Sequence, residues 1–305
     1  MHSFITLLRR EWLEGRNAYV ISPAVVLALV VLAGLFASAV NPTIELDGDD
    51  LERLENAEGT TLDGVAAITA MALDVPGSTD AELVDKISGL SIGIAQPFYI
   101  TLMIVTFFAL IACIHDERKD RSVLFWKSMP VSDLHTVLSK YVTIAWIAPL
   151  ATILGIWLAQ LFALTYLSLY TEDGFGGRVW TASHAISTPF HLMLGYAIHG
   201  LWAMPVYAWV MLVSARADKA PILWALGGPV VVILLERIFF GTSVLFDAVG
   251  HHMRLIALPS ISSDGYPSFG AQLGTLLEPS MWVGLIVGGA LLAATVYCRR
   301  RYNEI

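Results

Sequence analysis

The sequence predicts an all-α integral membrane protein with six transmembrane helices, and three observations lead there. Apolar residues make up 56% of the 305 and charged residues only 14%, too little charge for a soluble domain of that size. The apolar residues come in blocks, at 19–40, 91–114, 141–170, 189–213, 221–246 and 281–298. Each block approaches or exceeds the roughly 20 helical residues that cross a hydrocarbon core about 30 Å thick. Segments of about ten residues with alternating hydropathy, the mark of a membrane barrel, are missing.

Taken in order, residues 1–18 place Phe4, Leu7, Leu8 and Trp12 on one helical stripe, with Arg9, Arg10, Glu14 and Arg16 largely elsewhere. That pattern predicts a helix lying in the membrane interface, its bases near anionic lipid. The first span follows. Ala37-Ser38-Ala39 looks like a signal-peptidase site, but the apolar run is longer than a signal core of roughly 7–15 residues and is preceded by Glu11 and Glu14, so the span is expected to stay.

Residues 41–90 carry twelve acids and two bases, so this one connector is more negative than the net −8 of the whole chain. It holds helix signals, among them "STDAELVDKI", where Thr79 and Glu82 have capping-box spacing. "DGDD" lacks the order of a calcium loop and reads as a solvated acidic face.

The connector 115–140, "HDERKDRSVLFWKSMPVSDLHTVLSK", holds nine charges, two aromatics and an apolar spacing that predicts a small amphipathic helix. Pro130 ends it and Ser132 caps the next one. The third span is long enough to tilt or to project beyond the bilayer. Residues 247–280 mix Gly and Pro with short apolar pieces, too broken to span, and predict re-entrant or interfacial segments before the last span.

Orientation follows from Lys and Arg. Thirteen lie in residues 1–18, 115–140, 214–220 and the tail, four in the opposite connectors, and Arg237 lies inside a span. The basic side is the cytoplasmic one. Both termini and the 115–140 loop are therefore expected inside, with 41–90 and 247–280 outside. Cys113 and Cys298 then face a reducing compartment, where a structural disulfide is not expected.

No catalytic constellation is present. The chain contains no G-x-x-x-x-G-K-[ST], no H-E-x-x-H, no G-x-S-x-G and no paired CxxC. It is expected not to be an enzyme, and to bind no cofactor, metal or nucleic acid. His184, His191 and His199, with His251, His252 and Met253, suggest copper at first sight. The three around the fourth span do not share one helical face, so packing histidines are expected instead. Glu236-Arg237 is the one intramembrane charge pair. Adjacent positions point about 100° apart, so each needs another partner, either between helices or along a pathway.

The 115–140 stretch resembles the first cytoplasmic loop of ABC transporter permeases of the type-2 exporter family. The matching residues are Asp116-Glu117-Arg118, the apolar Val123-Leu124-Phe125-Trp126, Pro130-Val131-Ser132 and Lys140. "LLRREWLEGR" resembles that family's interfacial elbow helix, over residues 1–18. One departure is Asp120-Arg121-Ser122, where Gly-Thr usually follows the Glu-Arg.

The resemblance covers the whole chain as one permease domain, 1–305, and the loop is its specific part. It implies a bacterial inner-membrane subunit that forms an export pathway with a second copy or a related permease. A separate P-loop ATPase would carry ATP and Mg. Glu117, Arg118, Phe125, Trp126, Met129, Pro130, Val131 and Ser132 would form the coupling element against it, with membrane lipids around the spans. The alternative is a non-transporting membrane anchor or sensor whose external cap binds a ligand. A secondary transporter would show midplane ionisable groups and internal repeats, and the sequence shows neither.

Overall fold

Local signals start or stop some of the helices: Thr79 and Ser132 cap the starts of two, and Gly241 ends another. The structure is a computed structural model and describes residues 2–40, 79–122, 131–169, 175–253 and 269–301. Among these residues the regular structure is all helical, with turns between the helices and no strand. Five helices are long and apolar enough to cross a membrane, and a bent pair makes a sixth.

The first helix, α1 (His2–Val40), runs 39 residues without interruption. The amphipathic segment and the first span are thus one helix rather than two, because no residue between Arg16 and Tyr19 breaks the backbone ladder. Next comes α2 (Asp80–Lys119), 40 residues long. It starts at the expected capping box: the Thr79 side chain accepts from the Glu82 amide, and the Glu82 carboxylate accepts from the Thr79 amide at 2.8 Å. The cap signal at the end of the acidic connector therefore opens the second span itself. The rest of that connector lies outside the described residues.

Ser132 caps α3 (Asp133–Val142) by accepting from the His135 amide, as the sequence predicts. A π-helical turn, Thr143–Ile147, joins it to α4 (Ala148–Leu169). Pro149 has no amide hydrogen for the Ala145 carbonyl, and the helix widens just before it, the Ala148 amide donating to the Thr143 carbonyl instead. Together these pieces span Asp133–Leu169, 37 residues, longer than the roughly 20 a bilayer's hydrocarbon core requires.

After the short α5 (Phe175–Ala182), the fourth apolar block is broken. It forms α6 (Thr188–Trp202) and α7 (Met204–Arg216), bent by 58°. Pro205 in the first turn of α7 explains the break, since its ring excludes the carbonyl four residues back. The fifth block is also shorter than 221–246. α8 (Pro221–Phe240) ends at Gly241, whose φ of 65° closes the helix in the left-handed region. Then come α9 (Val244–His252), α10 (Phe269–Gly274) with a 3-10 turn, and α11 (Pro279–Arg301). With nine and six residues, α9 and α10 are too short to span.

The bundle is built on α7, which packs most extensively against α11 and α2, while α1 packs on α4 and α2. One buried cluster joins Leu110 and Ile114 of α2, Val137 and Tyr141 of α3, Tyr207 and Met211 of α7 and Leu292 of α11. A second joins Val26, Phe98, Leu102, Ile156 and Tyr196. Apolar burial gives little drive inside lipid, so close backbone approach matters more. Gly288 of α11 meets α7 at its break: a Cβ there would lie 3.0 Å from the Met204 carbonyl carbon and the Pro205 nitrogen.

Candidate functional site

Four helix ends meet where the 115–140 loop leaves and re-enters the bundle. Glu117, in the last turn of α2, stands at the centre. Its carboxylate holds Arg299 Nη1 of α11 at 2.7 Å, Lys140 Nζ of α3 at 3.0 Å and Arg10 Nη2 of α1 at 3.1 Å. Lys140 also donates to both carboxylate oxygens of Glu11, at 2.9 and 3.1 Å. Arg299 Nε reaches Asp133 at 3.1 Å, and Arg10 Nε reaches Glu14 at 2.7 Å. Lys140 is 2% exposed, Arg299 3%, and Glu11 and Glu117 8% each.

Charges this far from water persist because each is paired and hydrogen-bonded. The network joins residues from 10 to 299 in sequence, so the start of α1 and the end of α11 lie at the same end of the bundle. Replacing such a network with apolar groups is often neutral, whereas removing one member strands its partners. It therefore fixes one arrangement of four helices more than it adds net stability.

Arg118 turns the other way. Its guanidinium donates to the carbonyls of Ala215 at 2.9 Å and Ala217 at 3.2 Å, and pairs with Asp218. These carbonyls close the C-terminal end of α7, where a cation is favoured and orphan acceptors need partners. His115 Nδ1 lies 3.2 Å from the same Ala217 carbonyl. Ser214 of α7 donates to the Ile111 carbonyl at 2.6 Å. Two adjacent residues, Glu117 and Arg118, thus tie the end of α2 to α1, α3 and α11 on one side and to α7 on the other. Arg121, just beyond, takes a left-handed backbone with φ 59°.

Of the residues the sequence assigns to the coupling element, Glu117 and Arg118 come together here. Ser132 is the cap of α3, and Val131 is half-buried beside it. Phe125, Trp126, Met129 and Pro130 lie outside the described residues. The sequence reading did not find Glu11, Asp133 and Arg299 as members of the cluster. A signal was present: two glutamates in an otherwise basic segment, and Lys140 at the threshold of an apolar run.

Glu236 has a different setting. Its carboxylate accepts from the amides of Val244 at 2.6 Å and Leu245 at 3.0 Å and from the Thr242 hydroxyl at 2.7 Å. It caps the N-terminus of α9, supplying the acceptor that orphan amides need. Arg237 is exposed. The two do not pair with each other, as their spacing requires.

The histidines are held in packing contacts. His191 stacks on Phe269 at 4.0 Å, its Nδ1 3.4 Å from Gln272 Oε1, and His199 Nε2 lies 3.3 Å from the Tyr207 hydroxyl. His251 Nε2 lies 3.1 Å from the Ser280 hydroxyl. Among the described residues no group of three or more His, Cys, Asp or Glu is placed to hold a metal ion. The thiols of Cys113 and Cys298 are free.

Set against known proteins, the chain matches no family model, no curated protein and no solved structure.

Proposed function

We propose that the chain is the membrane-spanning subunit of an ATP-driven ABC exporter. It works without a nucleotide site of its own and is coupled through the 115–140 loop to a separate ATPase that carries ATP and Mg. The observation that supports this best is the Glu117 cluster. A loop that leaves the bundle at Glu117-Arg118 and re-enters at Asp133–Lys140 grips α1, α3, α7 and α11 at its two roots. A push on the loop is thereby delivered to most of the bundle at once, which is what a subunit driven from outside needs. Two copies, or this chain and a related permease, form the pathway in a bacterial inner membrane. The segment 1–18 serves as the elbow while continuous with the first span, both termini are cytoplasmic, and 41–90 and 247–280 stand outside.

The test is to look for a P-loop ATPase in the neighbouring reading frames and to measure assembly and ATP turnover with it. The complex should hydrolyse ATP where the isolated chain does not. Trp126→Ala, in the loop's apolar stretch, should weaken association roughly thirtyfold or more, about 2 kcal/mol. Lys119→Ala, at a solvated rim, should change it by well under 1 kcal/mol. A Trp126→Ala variant that assembles and couples like the parent removes the loop from this role and leaves the anchor or sensor reading. Orientation is checked by cysteine labelling from outside, which should reach position 63 and not 127.

A further inference from the structure

We infer that the chain carries a binding cleft for a long-chain primary amine, open to the lipid beside the Glu117 cluster. This does not rest on the exporter reading. A cavity of about 490 Å³ lies between α1, α2 and the π-helical turn after α3, within the range of roughly 300–1,000 Å³ that small-ligand sites occupy. One wall is apolar: Val105, Phe108, Ala109 and Ala112 of α2, with Ala18 of α1 facing them. Ile104 and Phe108 at its mouth are each 52% exposed, so the cleft opens sideways on an apolar surface. Its other end is charged, lined by Glu11, Glu14, Asp116, Glu117 and Lys140. An apolar trough with an ionic head fits an amphiphile and fits neither a fully polar solute nor a plain hydrocarbon.

Charge selects which amphiphile. The lining holds four carboxylates and one ammonium, and that ammonium is already held by Glu11 and Glu117. Including Arg10, Asp133 and Arg299 of the surrounding cluster gives five carboxylates against three cations, an excess of two negative charges. Asp116 is exposed and has no ion-pair partner among the described residues. A cationic headgroup reduces this excess, and an anionic one adds to it.

An independent observation specifies the headgroup further. Thr143 lines the cleft, is 0% exposed, and its hydroxyl has no hydrogen-bond partner among the described residues. A threonine in a helix ordinarily donates to the carbonyl four residues back, and an orphaned buried hydroxyl is uncommon. It sits in the π-helical turn, a distortion often found at ligand sites. A primary ammonium, with three N–H donors, satisfies Thr143 and the carboxylates together, whereas a quaternary ammonium has no hydrogen to give.

The experiment uses the purified full-length chain in neutral phosphatidylcholine nanodiscs. Spin-labelled alkyl chains of one length carry a primary ammonium, a quaternary ammonium or a carboxylate, and the motionally restricted fraction gives their relative association. The primary amine should associate about fivefold more strongly than the carboxylate and more strongly than the quaternary probe. Asp116→Asn, at an exposed and unpaired position, should at least halve the first preference. Thr143→Val should abolish the second. Ala112→Trp should remove the restricted amine, with an unchanged unfolding midpoint showing that the fold is intact. Equal association of amine and carboxylate, preference for the carboxylate, or a preference that survives both Asp116→Asn and Thr143→Val would overturn the proposal.

Discussion

The two ends of the bundle treat charge in opposite ways. At one end, Glu117 and Lys140 lie almost wholly out of water and are held by partners from distant parts of the chain. Glu236, a carboxylate likewise followed by Arg but flanked by apolar residues, turns to its own chain a few residues on and caps α9. The helices that bear them differ in the same sense. α2 packs on α1, α4 and α7, whereas on α8 Ala225 is the buried residue, and most of its apolar side chains face outward. A buried network among four helices specifies a tertiary arrangement, and a local cap specifies the end of one element. Two charged dipeptides, Glu117-Arg118 and Glu236-Arg237, thus do unlike jobs because their surroundings differ.

The largest effect that sharpens this contrast should come from Lys140→Met. Removing the ammonium leaves Glu11 without its principal partner and strips one from Glu117, at a cost of about 3–5 kcal/mol. It should be read as a large fall in the unfolding midpoint of the purified chain. Glu11→Gln combined with Lys140→Met should be less damaging than the sum of the two, by about 0.5–3 kcal/mol in a double-mutant cycle. Strict additivity would mean that the two groups do not interact.

Smaller, and independent of charge, is Gly288→Val. The added side chain meets the backbone of Met204 and Pro205 at the α7 break, and overpacking against backbone costs about 1–3 kcal/mol. An unchanged midpoint would mean that α11 slides freely past α7. The smallest effect belongs to Glu236→Gln. It should leave the global midpoint nearly untouched while speeding hydrogen exchange at the Val244 and Leu245 amides. A global destabilisation equal to that of Lys140→Met would erase the distinction between the two ends.

Much of the helical framework is legible in one dimension because its causes are local. Apolar blocks of spanning length, the Thr79–Glu82 box and the Ser132 cap act over a turn or two, and the structure has helices and caps at those places. The two corrected spans also had local causes. Pro205 and Gly241 stand in plain view, but each sits inside an apolar run whose hydropathy does not register a break.

The candidate site is another matter. Glu11, Glu117, Lys140 and Arg299 are spread across nearly the whole chain, and each reads in sequence as an ordinary charge flanking a span. What the sequence by itself determined is which segments are apolar helices and how two of them, α2 and α3, begin. Only the tertiary structure decided that four helix ends converge on Glu117, that Glu236 is a cap, and that Thr143 lines a cleft with its hydroxyl unpartnered among the described residues. The reason is physical: hydropathy and capping are properties of neighbours along the chain, whereas charge pairing depends on distance in space, which the packing of α2, α7 and α11 sets.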